Sequence, residues 1–123
     1  PFSMLYPTGE KQEDRKPRQA KYFLENDIIA GDFHFLKRYM PPELPGKIVI
    51  TNTVTRDDIR CLKECGVKTL ITTTPEMDGR SFGTNILEAL LISLAGSTRE
   101  LSREQYDQML EDLKITPRIE ELQ

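Results

Sequence analysis

The chain has 123 residues and a formal net charge of -3, with 17 Lys+Arg against 20 Asp+Glu, a length that fits one domain able to bury a core without disulfide or metal staples. This balance offers no broad basic surface for a phosphate backbone and argues against general nucleic-acid binding. Apolar residues make up 37%, and the longest apolar run, residues 86–95, is too short to cross a bilayer, so a soluble chain without a membrane partner is expected.

Residues 1–16 open with Phe2, Met4, Leu5 and Tyr6 and then turn densely charged, which predicts an extended arm whose apolar start packs on something. Pro17 suits the first turn of a helix, and Ala20, Phe23 and Leu24 recur at helical spacing after it until Asn26 and Asp27. Ile28, Ile29 and Ala30 then read as a buried strand running into a turn at Gly31 and Asp32. A helix over 33–40 carries Leu36, Tyr39 and Met40 on one face and stops at Pro41 and Pro42.

The unit repeats. Residues 47–51 form a second strand, and Thr55 with Asp58 makes a capping box for a helix that ends at Gly66. A third strand over 68–72 leads into a polar loop over 73–81. The helix from Thr84 to Ala95 is apolar nearly all round and should be buried against sheet and partner together. Ser102 with Gln105 starts a last helix with Tyr106, Met109, Leu110 and Leu113 as its buried stripe, and Pro117 stops it.

Strands alternating with helices predict an α/β fold, a Rossmann-like three-layer parallel sheet of about three strands covered on both faces. Three strands are half of a doubly wound sheet, so a missing N-terminal half or a homo-oligomer partner should cover the open edge. The expected organisation is an arm over 1–16, a Rossmann-like domain over 17–96, and a helix and tail over 97–123 that pack on it. Cys61 and Cys65, four apart on one helix, read as structural thiols of a reducing cytoplasm. A single histidine, His34, leaves no metal-ligand spacing. A start at Pro1 with no signal-like leader suggests a fragment of a longer cytoplasmic protein.

In open parallel sheets ligands bind beyond the carboxyl ends of the strands. There the sequence places Gly31, Asp32 and His34, then Thr51, Asn52, Thr53 and Thr55, then Thr72, Thr73 and Thr74. Such a rim could hold the hydroxyls of a ribose or polyol, and the same residues also favour strands and helix caps. Asp32, Asn52 and Thr53 are the substrate-binding candidates. The segment 79–85, Gly79 to Asn85, leads straight into the apolar helix, where glycines, Ser81, Thr84, Arg80 and the helix end could together hold a phosphate or carboxylate. The competing reading is a flexible turn with a Thr84 cap. Thr73, Thr74, Arg80, Ser81, Gly83 and Thr84 are the cofactor-binding candidates. Asp32 beside His34 permits an acid/base reading, but Asp32 is well placed as an N-cap and a lone histidine on a short helix is more often surface or satisfied core, and Lys37 and Arg38 read as a solvated basic face.

At residues 1–12 (PFSMLYPTGEKQ), 29–40 (IAGDFHFLKRYM), 50–55 (ITNTVT) and 72–85 (TTTPEMDGRSFGTN) the chain resembles the C-terminal portion of prokaryotic quinate 5-dehydrogenase-like proteins. The resemblance implies hydride transfer between NAD or NADP and a cyclic polyol acid such as quinate or shikimate, by an oxidoreductase of which this chain is the Rossmann-like half. The Ser-Val-Thr-x-Pro-x-x-Lys type of segment found in shikimate and quinate dehydrogenases is absent, so no catalytic residue carries over. The alternative is a non-enzymatic domain that senses a nucleotide, sugar phosphate or carboxylate, and a third reading is an assembly module working through the arm and the open sheet edge.

Overall fold

The computed structural model describes residues 19–123; the expected arm and the helix start at Pro17 lie outside them. The elements in chain order are α1 (Ala20–Leu24), β1 (Ile28–Ala30), α2 (Phe33–Tyr39), β2 (Ile48–Thr51), α3 (Arg56–Glu64), β3 (Thr69–Thr72), β4 (Glu76–Met77), β5 (Arg80–Ser81), α4 (Thr84–Leu94), α5 (Arg103–Asp112) and β6 (Arg118–Glu121). The fold is α/β.

The helix starts follow from local chemistry. Asp32 caps α2 by accepting the His34 N–H at 3.1 Å. Thr55 and Asp58 form a reciprocal capping box on α3, and Ser102 and Gln105 form another on α5. Gly66, at φ 85° just past α3, adopts the left-handed conformation that ends a helix without a Cβ penalty.

β1, β2 and β3 pair in parallel, with Ile29 beside Val49 and Val49 beside Leu70. These three point to one face and are buried with Phe33 and Leu36 of α2 and Leu62 of α3 in one core, where Cys65 is also buried and Cys61 packs against it. Neither cysteine forms a disulfide among the described residues.

The sheet departs from expectation in two ways. It has four strands, because β6 adds antiparallel to β3 with Thr72 beside Arg118, giving the order β1-β2-β3-β6 and a mixed sheet. Residues 118–121 carry three charges, which hid the strand. It is held by Leu122, buried beyond its end, whose N–H reaches Lys68 O at 2.7 Å, and by the Thr69 hydroxyl bonded to Glu121. Residues 97–123 thus contribute a strand to the same sheet as β1–β3.

The described residues also bury one face of the sheet rather than two. On the opposite face Ile28 is 57% exposed and Ile119 67%, and Ile48, Ile50 and Ile71 are only half-buried. The cause is topological: right-handed crossovers between strands laid down in sequential order send α2 and α3 to the same side, and covering both faces requires a reversal of strand order.

Three further differences concern the C-terminal half. The segment expected to be a polar loop contains the β4–β5 hairpin, turned at Asp78 (φ 52°) and Gly79 (φ 80°). An Asp-Gly pair with both φ positive is the two-residue turn whose twist matches the flanking strands. α4 is not buried all round: Leu87 and Leu91 are buried, and Ile86, Leu90 and Leu94 are exposed. On α5 the expected stripe is only half covered, with no residue buried and Leu113 exposed. No helix among the described residues is long and apolar enough to cross a membrane.

Gly79 yields a direct prediction. Its backbone lies in the left-handed region, and an added Cβ would sit 2.4 Å from Arg56 Nε. The arginine head can swing away, so the conformational cost dominates. Gly79→Ala is expected to lower folding stability by about 1–2 kcal/mol, and Gly79→Asn, which tolerates this conformation better, by less. Urea denaturation of both variants checks the order.

Candidate functional site

The turn after β1 and the turn after β2 are tied to each other at the carboxyl ends of the strands. Gly31 N–H reaches Ile50 O at 3.1 Å, and the Thr51 hydroxyl donates to Gly31 O at 2.7 Å. Asn52 then clips both turns. Its Nδ2 donates to Asp32 Oδ2 at 3.2 Å, and its Oδ1 accepts from Thr53 N–H at 2.6 Å and from Phe33 N–H at 3.4 Å. Asp32 is thereby fixed from two directions, with one oxygen on the helix cap and the other on Asn52. Each carboxylate oxygen can accept a further bond.

A third segment closes over these turns. Ser81, buried at the end of β5, donates its hydroxyl to Asn52 O at 2.5 Å and accepts from Val54 N–H at 2.8 Å; its own N–H reaches Val54 O at 3.0 Å. Thr74, fully buried, donates its hydroxyl to Phe82 O at 2.6 Å. The hairpin is thus strapped across the β2–α3 turn, and Gly83 and the first turn of α4 come to rest opposite Asp32 and Asn52.

Between them lies a cleft of about 640 Å³ lined by Asp32, Asn52, Thr53, Gly83, Thr84, Asn85 and Ile86. An ideal Cβ on Gly83 would stand 3.6 Å from the Thr53 hydroxyl, so the bare glycine leaves that hydroxyl beside the helix start. Gly83 is the N-cap of α4 and supplies no side-chain cap, whereas the neighbouring α2 start is closed by the Asp32 carboxylate. Of the three helix starts at this end of the sheet, those of α2 and α3 are closed by the Asp32 carboxylate and the Thr55 hydroxyl, and only that of α4 has no side-chain cap. Two other hollows run along α4 and α5, of about 460 and 270 Å³. Their walls are mainly apolar, so of these three hollows among the described residues the strand-end cleft suits a polar ligand best.

The structure brings together Asp32, Asn52, Thr53, Gly83 and Thr84, all named from sequence. Ser81 and Thr74 lie behind the cleft, their hydroxyls engaged by backbone carbonyls. Thr73 is exposed and its hydroxyl lies 3.4 Å from Thr51 O. The side chain of Arg80 lies outside what the structure describes. His34 is half-buried on α2 and does not line the cleft. Ile86 was missed and Asn85 was seen only as part of the loop; both occupy the first helical turn after Gly83, which was the available signal. The basic patch on α2 is not freely solvated: Lys37 Nζ pairs with Asp58 of α3 at 3.2 Å, and Arg38 lies over the Tyr39 ring at 5.7 Å.

Among the described residues no group of three or more His, Cys, Asp or Glu could hold a metal ion. The carboxyl of Glu104, in the first turn of α5, is held below its usual range by a hydrogen bond from its own backbone amide and a second from the Ser102 hydroxyl. It lines the apolar hollow beside α5 rather than the cleft.

A family model described as a domain of unknown function (DUF8754) matches residues 1–122. Neither the curated proteins nor the solved structures gave a match.

Proposed function

The chain belongs to the DUF8754 family, and we propose that it binds a hydroxyl-rich small molecule in the cleft at the carboxyl ends of its parallel strands. The observation that carries this reading is the convergence of Asp32, Asn52, Thr53 and Thr84, from three separate turns, on one cleft of about 640 Å³. A fixed carboxylate beside an amide and two hydroxyls suits the paired hydroxyls of a ribose or cyclic polyol, because each hydroxyl both donates and accepts. A carboxylate or phosphate on the same ligand would lie toward Thr84 and Asn85, away from the Asp32 charge.

The more specific form of this proposal is the oxidoreductase reading, with NAD or NADP and a cyclic polyol acid such as quinate or shikimate. It carries with it a Rossmann-like assignment of the β1–β3 unit. A dinucleotide would have to meet the α4 start, since Asp32 occupies the helix start after β1 where such folds usually seat the pyrophosphate. Hydride chemistry would then belong to the cofactor, and the chain's own residues would orient the polyol. A ligand-sensing domain differs from this only in binding without turnover.

A thermal-shift titration with NAD, NADP, quinate and shikimate tests the proposal. Ligand at one hundred times its dissociation constant should stabilise the fold by about 2.7 kcal/mol. Asp32→Asn retains one side-chain acceptor for the α2 cap but loses the charge and the bond from Asn52 Nδ2, and is expected to weaken binding about tenfold or more at a cost of about 1 kcal/mol in unliganded stability. Equal binding by Asp32→Asn would remove Asp32 from the site.

A further inference from the structure

We propose that Arg118 of β6 is a positioning residue for the strand-end cleft. Through its ion pair with Glu76 it sets where the β4–β5 hairpin rests on the β2–α3 turn, and so how Asn52 and Gly83 stand relative to Asp32. The inference rests on the cleft reading, and Arg118 does not itself line the cleft.

The antiparallel register places Arg118 beside Thr72, the last residue of β3. Directly opposed residues share a face of the sheet, so the arginine stands where the chain leaves β3 for the hairpin. Its Nη1 pairs with Glu76 Oε2, and its Nη2 donates to Glu120 Oε2 at 2.5 Å. The Arg118 and Glu76 side chains are 35% and 33% exposed, so the pair is partly shielded from water. A planar guanidinium shared between two carboxylates fixes direction as well as distance. Without the cation, repulsion between Glu76 and Glu120 would drive the hairpin away from β6.

Glu76 is placed to pass this on, because it is the residue of β4 directly opposite Ser81 of β5. The Ser81 hydroxyl donates to Asn52 O at 2.5 Å, and Asn52 Nδ2 donates to Asp32 Oδ2 at 3.2 Å. From Arg118 to the Asp32 carboxylate the contacts therefore cross one rung of the hairpin and one turn. Gly83 follows Ser81 by two residues and carries the start of α4 to the opposite wall of the cleft. The Ser81 bonds tie the hairpin to the β2–α3 turn, and the Glu76 pair ties it to β6, so both walls of the cleft depend on where β6 holds Glu76.

Amide hydrogen exchange of the full 123-residue chain without ligand tests this, with Arg118→Gln, Arg118→Lys and the double variant Arg118→Gln with Glu76→Gln. The Ser81 and Val54 amides report on the strap, since each bonds to the other residue. Arg118→Gln is expected to speed exchange at both by about three- to tenfold while Leu62 of α3 and Ile50 of β2 keep their wild-type rates. Arg118→Lys keeps the charge and should give intermediate rates, and the double variant should exchange no faster than Arg118→Gln, because both remove one interaction. Titration with quinate should show binding weakened by Arg118→Gln and partly restored by Arg118→Lys. Wild-type exchange in Arg118→Gln, equal acceleration at Leu62 and Ile50, additive effects in the double variant, or unchanged quinate binding overturns the proposal. A wild type that binds neither quinate nor NAD overturns the cleft reading instead, and the exchange rates still decide whether Arg118 sets the hairpin.

Discussion

Phe33→Ala is expected to lower folding stability by about 3–5 kcal/mol, the range for removing a well-packed core aromatic ring. Phe33 is 1% exposed and packs in the single core shared by β1–β3, α2 and α3. It is also the first residue of α2, directly after Asp32, and its N–H faces Asn52 Oδ1. The ring therefore seats the helix start that positions the Asp32 carboxylate. A domain of this size has about 5–15 kcal/mol of total stability, so the variant should be marginal at room temperature and its cleft disordered. Urea unfolding checks the value. A loss below about 1 kcal/mol would mean that Phe33 does not anchor α2.

Ser81→Ala should be the second largest effect, at about 2–4 kcal/mol. Its hydroxyl is buried and serves two backbone groups at once, accepting from Val54 N–H and donating to Asn52 O. Alanine strands both, and each unsatisfied buried group costs about 1–3 kcal/mol. Ser81→Thr keeps the hydroxyl and should recover most of the loss. The local signature is faster hydrogen exchange at the Val54 amide than global unfolding explains. Unchanged exchange there would show that the hairpin is held by the Ser81 N–H to Val54 O bond without the side chain.

Helix starts were legible because they are written in three or four consecutive residues: Asp32, Thr55 with Asp58, and Ser102 with Gln105 cap the helices assigned to them. The three parallel strands were legible from runs of Ile, Val and Leu between turns. β6 was not, because its strand residues are mostly charged and the contacts that hold it, at Thr69 and Lys68, are some fifty positions away in the chain. Asp78-Gly79 is itself a hairpin signal, but strands of two residues give no alternation to read. The composition of α4 showed a helix suited to burial without saying how much of it the chain would cover.

The site shows the same division. Proximity to strand ends identified Asp32, Asn52 and Thr53, since that follows from topology alone. Ser81 and Thr84 are chemically alike in the sequence, three positions apart on one loop. Only the folded hairpin separates them, by giving the Ser81 hydroxyl two backbone partners at the back of the turn and leaving Thr84 at the cleft wall.

The central claim is that a hydroxyl-rich ligand binds at the strand ends, and amide chemical-shift mapping during titration with quinate, and separately with NAD, tests it most directly. The account predicts saturable shifts centred on Asp32, Asn52, Thr53, Thr84 and Asn85. Shifts confined to the hollows along α4 and α5, around Leu101, Gln105 and Met109, or no saturable shift with either compound, would contradict it.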